Sequence, residues 1–301
     1  TDIKSIKKAA RKGVGEELEK RVNLVIESQD IHLDSNCKII WKNNEIARLK
    51  KGNNYLNPEV TVLADDSLND LTKVKLESFL KKWTQNHIKE ILGDLLNLNE
   101  ESVDNKYIRA LMFQLFENNG VIKRDNVNEI IKSVKTEERK KIWDLGIKIG
   151  RYHIYLPKML KPKAVTLRIS LWRLYYQLAS NQNVPKSGLN HLIDKKYNKN
   201  FLLLCGFEKF KNHYVRIDIL DKLFIKILNK TDKRKFKIDS DMMNLLGCNK
   251  EDFYNLMLSM NYKKSKEIDT YIYTGESKKS KFFNAKKNEN PFKKLLSLNL
   301  K

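Results

Sequence analysis

The side chains best suited to chemistry lie in one stretch, Gly146 to Gln177, GIKIGRYHIYLPKMLKPKAVTLRISLWRLYYQ. Arg151 follows a glycine, and Pro157 and Pro162 bracket a basic turn holding Lys158 and Lys161, with Lys163 just past it. Arg168, Trp172 and Tyr175 come next at spacings of four and three, and Arg173 adjoins the tryptophan. A guanidinium beside an aromatic ring at helical spacing suits a nucleotide, because the ring stacks on a base while the cation takes a phosphate. The same spacing also suits a plain helix with its rings in the core and its arginines solvated. The pattern favours Trp172 in the core and Arg168 and Arg173 as the exposed contacts.

No other cluster offers chemistry. The sequence has no GxxxxGK[ST] phosphate loop, DExH or DExD box, GxSxG or HExxH. Asp65-Asp66 and Glu137-Glu138 are paired carboxylates, but each stands where a helix N-terminus attracts acid. Cys37, Cys205 and Cys248 are odd in number and lack CxxC spacing, which excludes a disulfide framework or zinc site and points to a reducing, cytoplasmic compartment. His87 has no second ligand at i+4 and reads as a structural histidine. The chain by itself is therefore expected to hold no cofactor and to hydrolyse no nucleotide.

Charge bounds the partner. The 301 residues carry a formal +22, which calls for a polyanion. Of the 59 cations 48 are Lys and 11 Arg; with Asn and Ile also abundant, this is the bias of AT-rich coding, so the arginines are the more informative cations. No run approaches 18 apolar residues, so no membrane partner is expected. The start at Thr1, in what reads as helix, points to a piece of something longer.

The elements around the stretch read as mainly α with small β hairpins (α+β). Residues 1–66 form a basic helix, interrupted near Gly13 and Gly15, and then a small meander from IHLD, CKIIW and EIARLKKG that Pro58 closes. Residues 67–235 form a multi-helix body. Ser67 is its candidate N-cap; Leu76, Leu80, Trp83, His87, Ile91 and Leu95 make a long apolar stripe. YIRALMFQLFE ends at Asn118-Asn119-Gly120, and two short helices capped by Asp125 and Thr136 run to Gly146. In the central stretch Ile147 and Ile149 share one parity while Tyr152, Ile154 and Leu156 take the other, the sign of a bulge at Gly150. In the following helix Ala164, Leu167, Leu171, Leu174 and Leu178 face the core, opposite Thr166, Ser170, Arg173 and Gln177. FLLLCGF and YVRIDIL read as a buried run and a strand. No internal repeat is evident.

Residues 236–274 have a winged helix-turn-helix outline: two short helices about Gly247-Cys248-Asn249, then a hairpin. Its second helix opens Lys250-Glu251-Asp252, net negative, so contacts would come from Lys263, Lys264 and Lys266 on the hairpin; a protein-contact or architectural role fits equally. Residues 275–301 read as a disordered basic tail ending in a hydrophobic hook, Phe292 to Leu298.

GIKIGRYHIYLPKMLKPKAVTLRISLWRL resembles a segment of the C-terminal region of alphaproteobacterial DExH-type helicases related to the mitochondrial degradosome RNA helicase. IIWKNNEIARLKKG, YIRALMFQLFENNGVIKR, CGF…YVRID, MNLLGCN and NPFKKLLSL support the likeness in the same order. Lys and Asn replace much of the Arg and Ala of that pattern. The resemblance implies an accessory region that binds single-stranded or structured RNA, or DNA, and partners the motor domains of the same parent chain. Those motor domains would hold the ATP and Mg. The alternatives are a stand-alone basic RNA- or DNA-binding protein and a protein-interaction scaffold.

Overall fold

The computed structural model describes residues 2–63, 69–178, 183–193, 198–232 and 234–274, with side chains from residue 13 onward. Asp65-Asp66, the Ser67 cap and the 275–301 tail with its hook lie outside the described residues.

In chain order the elements are α1 (Asp2–Glu27), β1 (Ile31–Leu33), β2 (Lys38–Trp41), β3 (Asn44–Asn54), β4 (Asn57–Val62), α2 (Asp70–Glu100), α3 (Lys106–Glu117) and β5 (Val121–Lys123). There follow α4 (Asn128–Ser133), α5 (Arg139–Asp144), β6 (Lys148–Ile149), β7 (His153–Tyr155), α6 (Pro162–Tyr176), β8 (His191–Ile193), α7 (Lys199–Leu204), β9 (Phe207–Phe210) and β10 (His213–Arg216). The last are α8 (Ile217–Lys230), β11 (Lys235–Lys237), α9 (Ser240–Leu246), α10 (Lys250–Ser259), β12 (Tyr262–Lys264) and β13 (Thr270–Tyr273). The described residues thus form a mixed α and β fold with ten α-helices and several small antiparallel sheets, richer in strand than the sequence implied.

Two compact units divide the chain. One comprises Thr1–Gly188 and Tyr197–Phe207, the other Leu189–Lys196 and Glu208–Lys301. In the first, Ile39, Ala47 and Leu49 of the meander share a continuous core with Leu80, Ile88 and Leu95 of α2 and with Ile108, Leu111 and Leu115 of α3. The meander has a fourth strand that the sequence reading ended too early. Pro58 sits within β4, which is the edge of the β1-β2-β3-β4 sheet, where a missing N–H breaks no ladder. α1 is continuous through Gly13 and Gly15, not interrupted. α2 is capped by the Asn69 side chain, which accepts from the Thr72 N–H at 2.7 Å. Its buried stripe is Leu76, Leu80, Thr84, Ile88, Leu92 and Leu95, one residue round from the expected line. Trp83 and His87 therefore sit at the flank, stacked with ring centroids 5.1 Å apart, and burial lowers the His87 pKa.

The parity change at Gly150 is a reversal, not a bulge. β6 and β7 are antiparallel neighbours, Ile149 opposite Ile154, and the Gly150 N–H bonds the His153 carbonyl at 2.8 Å. FLLLCGF is largely buried, as expected, and α7 occupies most of it, opened by the Asn198 side chain accepting from the Asn200 N–H, whereas YVRIDIL is strand only to Arg216 and helix from Ile217.

One order of elements occurs three times among the described residues. A helix, a strand, one or more short helices and a two-stranded hairpin follow one another, and the strands pair as first–third–second. The sheets are β5-β7-β6, β8-β10-β9 and β11-β13-β12. The leading helices α3, α6 and α8 start at residues 106, 162 and 217. In each case a left-handed residue precedes the hairpin: Gly146 (φ +73), Gly206 (φ +85) and Asn261 (φ +68). The next residue is buried each time, as Ile147, Phe207 and Tyr262. From α3 onward the order of elements thus recurs among the described residues without a matching order of residue types.

Candidate nucleic-acid interface

α6 is the centre of the first unit, and its middle is buried nearly all round. Ala164, Val165, Leu167, Arg168, Ile169, Ser170 and Leu171 are all inside. Within this segment only Thr166 faces solvent, as expected of the polar face, which leaves little room for a polar flank. Ser170, expected on the exposed face, donates instead to the Ser35 carbonyl at 2.9 Å. Leu178, expected on the core stripe, lies past the left-handed Gln177 cap and is exposed.

Arg168 is the main correction. It is not an exposed phosphate contact but 1% accessible, among the largest buried side chains. Its guanidinium donates to the carbonyls of Asn119, Met159 and Leu204. These close α3, the turn at 157–160 and α7, so one side chain ties three segment ends. No carboxylate is among these partners. Burial pushes the Arg168 pKa down to about 10, and raises that of the neighbouring Cys205 thiol to about 12. A buried cation without a counter-ion is tolerated because three carbonyl dipoles replace its hydration. The Arg168 Nε, the Asn119 side-chain oxygen and the Tyr55 hydroxyl are buried with no hydrogen-bond partner.

The LPKML segment fits beneath this brace because two glycines let it in. A Cβ at Gly120 would stand 2.9 Å from Met159 Cγ, and one at Gly206 would stand 2.6 Å from Leu160 Cδ2. Both glycines also have positive φ, so a larger residue would be strained as well as crowded.

The other expected contacts fall in several places. Arg151 is exposed at the tip of the β6–β7 hairpin, its guanidinium 6.0 Å from the Tyr152 ring centre. Lys158 pairs with Asp94 at 2.9 Å. Lys161 and Lys163 are exposed at the N-terminus of α6, where the Lys161 backbone, not a side chain, opens the helix. Arg173 is half-buried over the Phe201 ring at 5.0 Å. Tyr175 is tied to β3, its hydroxyl donating to the Asn53 carbonyl at 3.4 Å while Lys51 lies 4.9 Å from its ring centre. Trp172 is half-buried, 5.5 Å from Tyr176, and lines an open recess of about 280 Å³ with Glu117, Asn119, Asn200 and Leu204. Lys158, Lys161 and Lys163 are thus all exposed, Arg168 is buried, and Trp172 is half-buried rather than in the core.

In the second unit the hairpin cations stay outward. Lys263, Lys264 and Lys266 are all exposed, and Lys264 lies 5.8 Å from the Tyr254 ring centre. Lys250 at the start of α10 is held by Asp269 at 3.1 Å; Tyr254 first, and then Asp269, raise the Lys250 pKa, and Tyr254 first, and then Lys250, lower that of Asp269. Nearby, His191 Nε2 and His213 Nδ1 are 3.0 Å apart in stacked rings. Burial first, and then His213, push the His191 pKa down to about 4; Asp252 opposes this. No group of three or more His, Cys, Asp or Glu side chains is placed to hold a metal among the described residues. No described helix is long and apolar enough to cross a membrane.

Three outward side chains on one short helix lie outside the contacts expected above. Trp143 on α5 is 74% exposed, with Arg139 and Lys140 one turn before it. The signal is RKKIW itself, in which three cations precede an aromatic within one helical turn. No family model, curated protein or solved structure matches the chain.

Proposed function

We propose that the chain is an accessory nucleic-acid-binding and scaffolding region of an ATP-dependent helicase acting on RNA, as its resemblance to the degradosome-type helicases implies. Helix, strand, two helices and hairpin with strands in the order first–third–second is the winged helix-turn-helix outline, so the first and third occurrences read as winged helices, while the second has only α7 between β8 and β9. The observation that carries the proposal is that all three hairpins are basic: Lys148 and Arg151 in the first, Lys209 and Lys211 in the second, Lys263, Lys264 and Lys266 in the third. The +22 charge then has a repeated outlet rather than a diffuse one. Contacts run through the wings, because α10 opens with Glu251 and Asp252 and its Lys250 is engaged by Asp269. Those acids also favour a second reading of the last unit, as a protein contact.

The test is the salt dependence of single-stranded RNA binding. Each lost phosphate contact on a single strand flattens the slope of log affinity against log salt by about 0.7, so replacing Lys263, Lys264 and Lys266 by Gln together flattens it by about 2. Absence of binding at 50 mM salt, about where such contacts are strong, refutes the proposal.

A further inference from the structure

In each repeat the residue three before the left-handed junction lies on the helix that precedes the hairpin. These residues are Trp143, Leu203 and Leu258. Leu258 is 49% exposed and Leu203 half-buried, so the position turns toward solvent rather than the core. In the first repeat it is filled by a tryptophan at 74% exposure. Core packing does not account for an indole there, since the same helix buries Ile142 completely. Arg139 and Lys140, four and three residues earlier, share its helical face and are exposed. Of the acids nearby, Glu138 is turned back to the Lys135 N–H at 3.2 Å, while Glu137 and Asp144 remain exposed.

We propose that Trp143 is a stacking platform for one unstacked base of a bound single strand, with Arg139 and Lys140 taking the flanking phosphates. This rests on the nucleic-acid reading above and adds a site to it. An indole face stacks on any base, and cations one turn away on the same helix can take phosphates of the same strand. A duplex offers no free base face, so the site selects single strands. It also places a contact on the helix in the first repeat, where the third repeat has an acidic helix start and relies on its wing.

The test uses the full chain and fluorescein-labelled oligo(U), read by anisotropy, against a duplex of equal length. Trp143→Ala weakens oligo(U) binding about 5- to 140-fold, the range set by loss of one base stack. Its thermal unfolding stays that of the parent, because the indole is exposed. Trp143→Phe retains most of the affinity. Arg139→Gln with Lys140→Gln flattens the salt slope by about 1.4. Bound oligo(U) shields the indole from acrylamide, and that protection disappears in Trp143→Phe. If the parent binds oligo(U) and Trp143→Ala binds equally well, the platform is refuted and the wing reading stands. Equal weakening for duplex and oligo(U) also refutes it, since stacking then plays no part. If the parent binds no strand at low salt, both fall.

Discussion

Arg168→Met is the sharpest test of how the first unit is held. Methionine keeps much of the arginine's length while removing the charge and all donors. The carbonyls of Asn119, Met159 and Leu204 then lose their partner inside the protein. An unsatisfied buried acceptor costs about 1–3 kcal/mol, so three cost roughly 3–9 kcal/mol. Against this, a guanidinium no longer has to leave water, a saving of several kcal/mol. The balance is a loss of about 2–4 kcal/mol, within the range of broken buried networks. Arg168→Lys keeps the desolvation cost but lacks the planar fork that reaches three carbonyls, so it destabilises at least as much as Met. The assay is amide exchange, read separately at the ends of α3 and α7, because a chain of two units need not unfold in one step. Faster exchange at both ends in both variants is expected. An Arg168→Met variant within about 0.5 kcal/mol of the parent, the range of changes away from structural features, refutes the brace. So does a variant that stays folded yet shows a flattened RNA salt slope, since a buried charge neutralises no phosphate.

Three further outcomes follow from the geometry. Ser170→Ala removes the bond to the Ser35 carbonyl and lowers stability by about 1 kcal/mol in urea unfolding; no change would mean the meander is held otherwise. The second unit loses stability as pH falls from about 6.5 to about 4, because the unfolded chain takes up a proton that His191 in the fold does not accept until the lower value. The full shift would amount to about 3 kcal/mol, cut to about 1–2 kcal/mol by partial exposure, and His191→Asn flattens that window. The chain alone turns over no ATP with RNA present, and steady hydrolysis that survives further purification would refute this.

Periodicity and caps made part of this fold legible. YIRALMFQLFE followed by Asn118-Asn119-Gly120 read as a helix and its stop, and α3 ends there. The α9, turn, α10 and hairpin series was likewise readable from Asp239, Gly247 and Asn249. β4 was hidden by Pro58, which argues against a strand unless the strand is known to be an edge. FLLLCGF was ambiguous because a short apolar run fits a buried helix as well as a strand. Arg168 was misplaced for a deeper reason: arginine is assigned outward on composition, whereas its position depends on whether three distant chain ends offer carbonyls. The tandem order was hidden because the repeats share φ signs and strand order, not residue types.

The join between the last two repeats has a mechanical consequence. β10 ends at Arg216 and α8 begins at Ile217, with no intervening residue. Arg216 grips Asp218 through both Nε (2.6 Å) and Nη2 (3.0 Å), which stiffens the corner. Force applied at the tip of the β9–β10 hairpin has no slack chain to take it up. It arrives at α8 as a turning moment, so whatever pulls on that tip turns the helix that leads the next repeat.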